Sequence, residues 1–438
     1  MAALPAPDRH GAQLRNVVKA LTPRFAVDVM ALKGADQAVV EHYLKARLLR
    51  VPAGALTLAE QIDAFRRAVR RQLDGEEYDV IHFRDAWSGL PICERRWDMP
   101  SRLVFDVALS PQSEPRAADR ELAATLFQSE SYCLERSDLI LVPTQTARLH
   151  LERAGFGGEV AVVPPGVDID HFDWEPPSLR AARPVILYAG RIAPGRRVRL
   201  LLEAVSLLME KHDFEVWLCG AVDDTLRAPL DDLVGKLGLR ERLRELGPVD
   251  HDDMPRIIAQ ATVCVAPSAA DAAERPLASP PTKLLEYMAC RRPVVAPDRP
   301  CVAEIVTRDR HGLLFQPGDA SDLAACLRRL LEDPGLAERL AKAGYELVRE
   351  RHPASASRRA LLEAYARVVP ADLYRPVAHA AGAPIDVLPA HADTTTSRRE
   401  QWVTETPATL AAAPADVDRV DFEAAGALLS GETDREKS

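Results

Sequence analysis

The sequence predicts an α/β protein made of two doubly wound domains that face a cleft, followed by a disordered C-terminal tail. Three observations carry this reading. Short apolar runs alternate with longer stretches of helical periodicity, the pattern of parallel sheets covered on both faces. The rhythm stops at a proline-rich bridge, WEPPSLRAARP (174–184), and restarts after it. From Val377 onward the chain turns to Ala, Pro, Thr and acid, a composition that cannot bury enough apolar surface to offset the entropy of ordering.

In the first half, RFAVDVMAL, YDVIHF, RLVFDV, DLILVP and EVAVVP read as strands, with helices between them over 58–73, 116–136 and 144–154. In the second half the strands are VILYAG, FEVWLCG, ATVCVAP and RPVVAP. The helices there are 198–210, 226–238, 281–290, 320–332 and 334–350. The expected units are 1–173, 174–354, a last helix over 355–376 that crosses back to the first domain, and a tail over 377–438. In open α/β sheets ligands sit at the carboxyl ends of the strands, so the cleft between two such domains is the expected site.

Charge narrows the partners. The 438 residues carry a formal net charge of -9, which argues against a dedicated nucleic-acid binder. The tail holds eleven acids against five bases, so -6 of that charge lies there and only -3 in residues 1–376. The folded part is therefore close to neutral and has room for local phosphate sites. No run approaches the ~18 apolar residues of a membrane span. The start, MAALPAPD, lacks the basic-then-apolar pattern of a signal peptide. The seven cysteines are scattered, with no CxxC pair and no zinc spacing, so a reduced, cytoplasmic protein without a metal site is expected. The basic helix FRRAVRRQL (65–73) has the composition to meet anionic lipid and equally that of a solvated face.

Two segments could carry chemistry. In VILYAGRIAPGRR (185–197) a strand ends at Gly190 and a loop presents Arg191, Gly195, Arg196 and Arg197. Guanidinium forks there suit a diphosphate, although arginines on loops are commonly just solvated. In ASPPTKLLEYMAC (278–290), Ser279 is a good N-cap and Pro280 a good first helical residue. The N–H groups near Pro281, Thr282 and Lys283, with the Lys283 ammonium, would attract an anion. Glu286 lies one turn deeper on the face of Thr282, among Leu284, Leu285, Tyr287 and Met288. A carboxylate on so apolar a helix needs a partner, and both hydroxyls of a ribose would supply one. VVPPGVDIDHF (162–172), by itself, is only a turn.

In order, VPPGVDIDHF, VILYAGRIAPGRRVRLLLEA, LGPVDHDDMPRIIAQATVCVAPS, SPPTKLLEYMACRRPVVAP and AEIVTRDRHGLLFQPGDASDLAACLRRLLEDP resemble the family 4 retaining glycosyltransferases, the glycosyl transferases group 1 domain of the GT-B fold. The likeness spans roughly 162–352. It is weaker over 8–160, through YDVIHFRDAWSG and CLERSDLILVPTQTARLHL. The resemblance implies a nucleotide-diphosphate-sugar donor held mainly by the second domain, and a carbohydrate or lipid-linked acceptor on the first. The family's arginine maps onto Arg191, its phosphate-binding lysine onto Arg196, and the ribose-binding glutamate of its E-x7-E motif onto Glu286. Backbone around Val249 would meet the base, while Thr282 and Lys283 would meet phosphate. Gly11, in the Pro7–Gln13 stretch, matches a glycine-rich loop facing the cleft. His82 matches a family histidine and is the first-domain candidate for the site. His82, Arg191 and Arg196 are thus the implied catalytic residues. No metal and no cofactor are implied, because basic side chains neutralise the leaving diphosphate.

The chain also departs from the family. Ala278 stands where the first glutamate of E-x7-E belongs, as it does in a branch with a serine-proline-x-lysine helix start. Ala108 stands where a polar residue should face the sugar, and Arg84 replaces a second histidine. Met1 to Ala6 are few for the strand with which this fold opens, which suggests a start further upstream or a shortened strand. Three functions follow. The first is an active retaining glycosyltransferase in surface polysaccharide or glycolipid synthesis. The second is a degenerate relative acting as a non-enzymatic partner in polysaccharide assembly. The third is a nucleotide-sugar epimerase on the same fold, whose motifs match less closely.

Overall fold

The computed structural model describes residues 9–34, 37–52, 56–107, 120–156, 158–174, 183–193, 196–267 and 281–370. Ala108, Gly195, Ala278, Ser279, Pro280, residues 1–8 and the tail from Val377 lie outside the described residues.

The strands are β1 (Asp28–Leu32), β2 (Val40–Tyr43), β3 (Ala46–Val51), β4 (Val80–Phe83), β5 (Arg102–Asp106), β6 (Leu139–Val142), β7 (Glu159–Val162), β8 (Val185–Ala189), β9 (Glu215–Cys219), β10 (Leu243–Gly247), β11 (Val263–Val265), β12 (Val294–Pro297) and β13 (Leu313–Phe315). The second lobe is one six-stranded sheet in the order β10-β9-β8-β11-β12-β13, parallel throughout. Its central strand β8 is fully apolar because both faces are covered. Side chains alternate, so Val185, Leu187 and Ala189 join one core with the helix Lys283–Ala289. Ile186 and Tyr188 join the other, with the helices Val198–Ser206 and Ala320–Glu332. Both layers bury the strand, at about 2 kcal/mol for each large apolar side chain withdrawn from water.

The first lobe holds two sheets, β4-β5-β6-β7 and β1-β3-β2. β1 pairs with β3 in parallel, and β2 pairs with β3 antiparallel. Among the described residues, β1 and β4 have no partner on their other edges. Between them lies a cavity of about 230 Å³. Its walls are the two strands, Leu14, Val17 and Val18 of the helix Arg9–Leu21, and Phe65 and Val69 of the helix Leu58–Gly75.

Four strands are absent from the sequence-based expectation. β2 and β10 are exposed or half-buried and carry charges, so no apolar run marks them. β13 spans only three residues, and β3 reads ARLLRV, where arginines interrupt the pattern. Near residue 280 the helix starts at Lys283 with Thr282 at the cap position, later than the expected Ser279–Pro280 start. The stretch expected as a glycine loop is helical from Arg9, so Gly11 lies in the first turn of a helix.

The lobes join where two segments run side by side. Val167 N–H donates to His352 O at 2.9 Å, and Ala354 N–H donates to Val167 O at 2.8 Å. The helix Ala354–Tyr365 then packs Leu361, Ala364 and Tyr365 against Val104, Leu139, Leu141 and Ala161 of the first lobe.

Candidate active site in the cleft between the lobes

The second-lobe wall is built around the end of β8. Gly190 and Gly220 hold φ values of +140° and +145°. A Cβ on Gly220 would stand 2.2 Å from Gly190 O, and one on Gly190 would stand 2.6 Å from Lys283 Nζ. Glycine is therefore required at both positions for backbone and ammonium to approach. Lys283 Nζ lies 4.1 Å from the centroid of the Tyr188 ring, a cation–π contact that orients the ammonium. The Tyr188 hydroxyl donates to Arg191 O at 2.9 Å. Burial pushes the Tyr188 phenol up to about 12, against the opposing charge of Arg196. Arg191, half exposed, pairs with Asp223 at 2.8 Å. Burial and the Thr225 contacts aside, that guanidinium helps hold the Asp223 carboxyl below its usual range, where hydrogen bonds from Thr225 are the largest cause. The Tyr287 hydroxyl accepts from Ala189 N–H at 2.8 Å and pins the helix Lys283–Ala289 to the strand end. Lys283 thus lies on the Tyr188 ring with the Arg196 charge close enough to act on its phenol, while the Arg191 guanidinium turns to Asp223 and only its carbonyl meets Tyr188.

Glu286 faces the cleft one turn beyond Thr282. Its Oε1 lies 3.6 Å from His251 Nε2, and both side chains are 17% exposed. Glu286 raises the His251 pKa, while burial and the nearby Arg15 work against it and Asp252 assists. The His251 ring stacks on His171 with centroids 5.8 Å apart and an interplanar angle of 13°. Phe172 meets both rings edge-on. Thr282 is 6% exposed. Its Oγ1 is buried without a hydrogen-bond partner. These side chains line a cavity of about 240 Å³ whose opposite wall comes from the helices Arg9–Leu21 and Ala354–Tyr365.

On the first lobe, Arg84 Nε donates to Asp106 at 2.8 Å and reaches Gln13 Oε1 at 3.3 Å. Burial raises the Asp106 pKa, but Arg84 and His82 outweigh it and hold the carboxyl below its usual range. His82 Nδ1 is 2.7 Å from the Tyr365 hydroxyl, and its Nε2 is buried with no hydrogen-bond partner. His82 lines the cavity between β1 and β4, not the one holding Thr282 and Glu286, whereas Arg84 lines both.

The structure brings Thr282 together with Glu286 and sets Lys283 and Arg196 at Tyr188, while the Arg191 side chain pairs with Asp223. Val249, half-buried behind the positive-φ Gly247, packs against the second-lobe core two residues before His251. Gly11 is buried in its helix, and the adjacent Ala12 and Gln13 line the cleft. Sequence reasoning passed over Tyr188, Tyr287, His171 and His251, although all four lie inside the quoted motif segments. Among the described residues, His171, His251 and Asp252 are the one group with ligating atoms close enough for a metal ion, and Asp252 is exposed. Arg66 of the basic helix donates to Trp87 O, and Arg70 pairs with Glu94 at 2.8 Å. All seven cysteines are buried and free, and no described helix is long and apolar enough to cross a membrane.

Two doubly wound lobes, with a cationic strand end and a carboxylate facing the cleft, define a glycosyltransferase of the GT-B class. The chain belongs to glycosyltransferase family 4. Residues 11–171 match Glycosyltransferase Family 4 and residues 183–333 match glycosyl transferases group 1. It is 31% identical over 176 residues to an alpha-D-kanosaminyltransferase of Streptomyces kanamyceticus, covering 40% of this chain and 43% of that one. It is 28% identical over 371 residues to a D-inositol 3-phosphate glycosyltransferase of Xylanimonas cellulosilytica, covering 77% of this chain and 85% of the relative. Sucrose-phosphate synthase from Thermosynechococcus elongatus shares the fold with a TM-score of 0.71 at 24% identity, over 82% of this chain and 94% of that chain. HepE of Anabaena, in complex with UDP-glucose, does so with a TM-score of 0.67 at 16% identity, over 84% and 98%.

Proposed function

We propose that the protein transfers a sugar, with retention, from a nucleotide-diphosphate-sugar to an acceptor hydroxyl in surface polysaccharide or glycolipid synthesis. The observation that carries this reading is the Lys283 ammonium held on Tyr188 at the end of β8, one helical turn from Glu286, with Arg191 and Arg196 on the loop that follows the strand. Three cations there suit a diphosphate, and the Glu286 carboxylate accepts hydrogen bonds from the ribose hydroxyls.

In the transfer step the bond from the anomeric carbon to the diphosphate oxygen breaks, and the electron pair leaves with the diphosphate. Arg191, Arg196 and Lys283 stabilise that growing charge, so neither a resident metal nor a cofactor is needed. The acceptor oxygen bonds to the same face of the anomeric carbon, and its proton passes to a departing phosphate oxygen. His82, the first-lobe candidate from the sequence, lies outside this cleft cavity with its Nε2 3.8 Å from Asp106, so it would bear on the sugar only through Asp106 and Arg84, which line the cleft.

UDP and UDP-glucose are the first probes, because the Anabaena neighbour is a complex with UDP-glucose. Ligand binding to the native state raises the melting temperature. Glu286→Ala should weaken UDP binding about tenfold or more, the worth of hydrogen bonds to a charged group. An unchanged affinity for every nucleotide-sugar bound would overturn the donor assignment. Tight donor binding without transfer or hydrolysis would favour the non-enzymatic partner.

A further inference from the structure

We propose that Arg15, Lys19 and Arg358 form a second anion subsite in the cleft, one that takes a phosphate group carried by the acceptor. This rests on the donor reading above. Arg15 and Lys19 stand four residues apart on the helix Arg9–Leu21 and share a face. Arg358, from the helix Ala354–Tyr365, sits beside them with its Nη1 donating to Asn16 Oδ1 at 2.8 Å. All three line the 240 Å³ cavity opposite Thr282, Glu286 and His251.

Two observations indicate that this cavity is built for a polar ligand. Arg15 Nε on one wall and Thr282 Oγ1 on the other are both buried without hydrogen-bond partners. Each such group is destabilising until a ligand satisfies it. The cavity's carboxylates do not neutralise the cations. Asp106 is held by Arg84 at 2.8 Å, Glu286 faces His251 at 3.6 Å, and Asp168 and Asp252 are exposed at the rim.

The set is distinct from the donor's phosphate site. Arg191, Arg196 and Lys283 do not line this cavity, and Thr282 and Glu286, the donor residues that do, lie on the wall opposite Arg15, Lys19 and Arg358. A nucleotide-sugar brings one diphosphate, which that first set satisfies, so the second set is left for the other substrate. Two guanidinium forks and an ammonium match the oxygens and double charge of a phosphate monoester better than a single carboxylate.

Isothermal titration on the full chain tests this, with UDP first and then, at saturating UDP, D-inositol 3-phosphate, inositol and inorganic phosphate. The phosphorylated polyol should bind about tenfold or more tightly than the bare polyol. Arg15→Gln with Arg358→Gln should abolish that preference and leave the UDP affinity within about twofold. Arg15→Lys, which keeps charge and fold, should restore part of it, and Arg191→Gln should weaken UDP alone. Equal loss of UDP and phosphate binding in the double variant would assign these cations to the donor and overturn the inference. So would a wild-type protein that binds UDP but ignores the phosphate. Failure to bind UDP at all would remove the donor reading and this inference with it. Sedimentation with phosphatidylglycerol vesicles separates the sources. Arg15- and Arg358-dependent vesicle binding places the phosphate on a lipid-linked acceptor, and its absence alongside polyol-phosphate binding places it on a soluble one.

Discussion

Glu286 and His251 depend on each other. A carboxylate on a helix that otherwise buries Leu284, Leu285, Tyr287 and Met288 needs a counter-charge, and the imidazole supplies it from a loop. His251 is hemmed in by His171, Arg15 and Asp252 as well, and Glu286 is the largest cause of its raised pKa. The consequence for stability has a definite sign. A histidine whose pKa is higher in the folded state contributes fully below the unfolded value near 6.5, and the contribution fades as pH rises through the folded value. Glu286→Gln should therefore cost about 1 kcal/mol at pH 5.5 and much less at pH 8.5, measured by urea melts of both proteins. A difference that stays constant across that range would mean the pair is not ionic. Glu286 was legible in the sequence because its helix has a plain apolar pattern that the acid violates. His251 was not, because its partner is a helix distant in the chain and nothing in LGPVDHDDMP announces the contact.

Elements show the same division between local and assembled features. The central strands are legible because burial on both faces makes them unbroken apolar runs, as in LILV of β6 and VILYA of β8. The half-exposed β10 and the short β13 are held by neighbours the sequence does not display. Contacts between lobes are equally hidden. Glu304, in the second lobe, accepts hydrogen bonds from the backbone N–H groups of Gln145 at 2.8 Å and Thr146 at 2.9 Å, and from the Thr146 hydroxyl. It thereby satisfies the free N–H groups that begin the first-lobe helix Gln145–Arg153 and lies at its positive end. This clasp sits apart from the junction at Val167 and His352 and adds a further tie between the lobes. Glu304→Ala should lower stability by about 1 kcal/mol, the worth of a helix cap. It should also enlarge the radius of gyration in small-angle scattering by freeing this tie. Glu304→Gln, which keeps an acceptor oxygen, should fall between. An unchanged scattering profile for the alanine variant would show that the other contacts between the lobes set their angle without it.

For the molecule as a whole, the second lobe was the more legible because its site comes from two continuous segments, 185–197 and 278–290. The first-lobe wall is assembled from residues as far apart as Arg15 and Arg358, and no local pattern joins them. The first lobe is also where the sheet is divided. Facing edges of β1 and β4 are unpaired among the described residues, and side chains of both strands line the apolar cavity between them. The second lobe has no such break in its six-strand order. Backbone groups on an unpaired edge lack the inter-strand bonds that slow exchange, and a cavity removes the packing that opposes local opening. Hydrogen exchange should therefore divide the molecule unevenly. Amides of β1 and β4 that do not bond to β3 or β5 should exchange about a hundredfold faster than those of β6 and β8, which are paired on both sides. The helix Arg9–Leu21, which lies on the gap through Leu14, Val17 and Val18, should be the next to exchange. It also carries Arg15 and Lys19, so this unevenness bears on function. A phosphate-bearing ligand on that helix should slow exchange in the helix and on the β1 and β4 edges together, while UDP alone should protect mainly β8 and Lys283–Ala289. Equal protection of β1, β4 and β6 in the free protein would show instead that the facing edges are bridged in solution and that the first lobe is as continuous as the second.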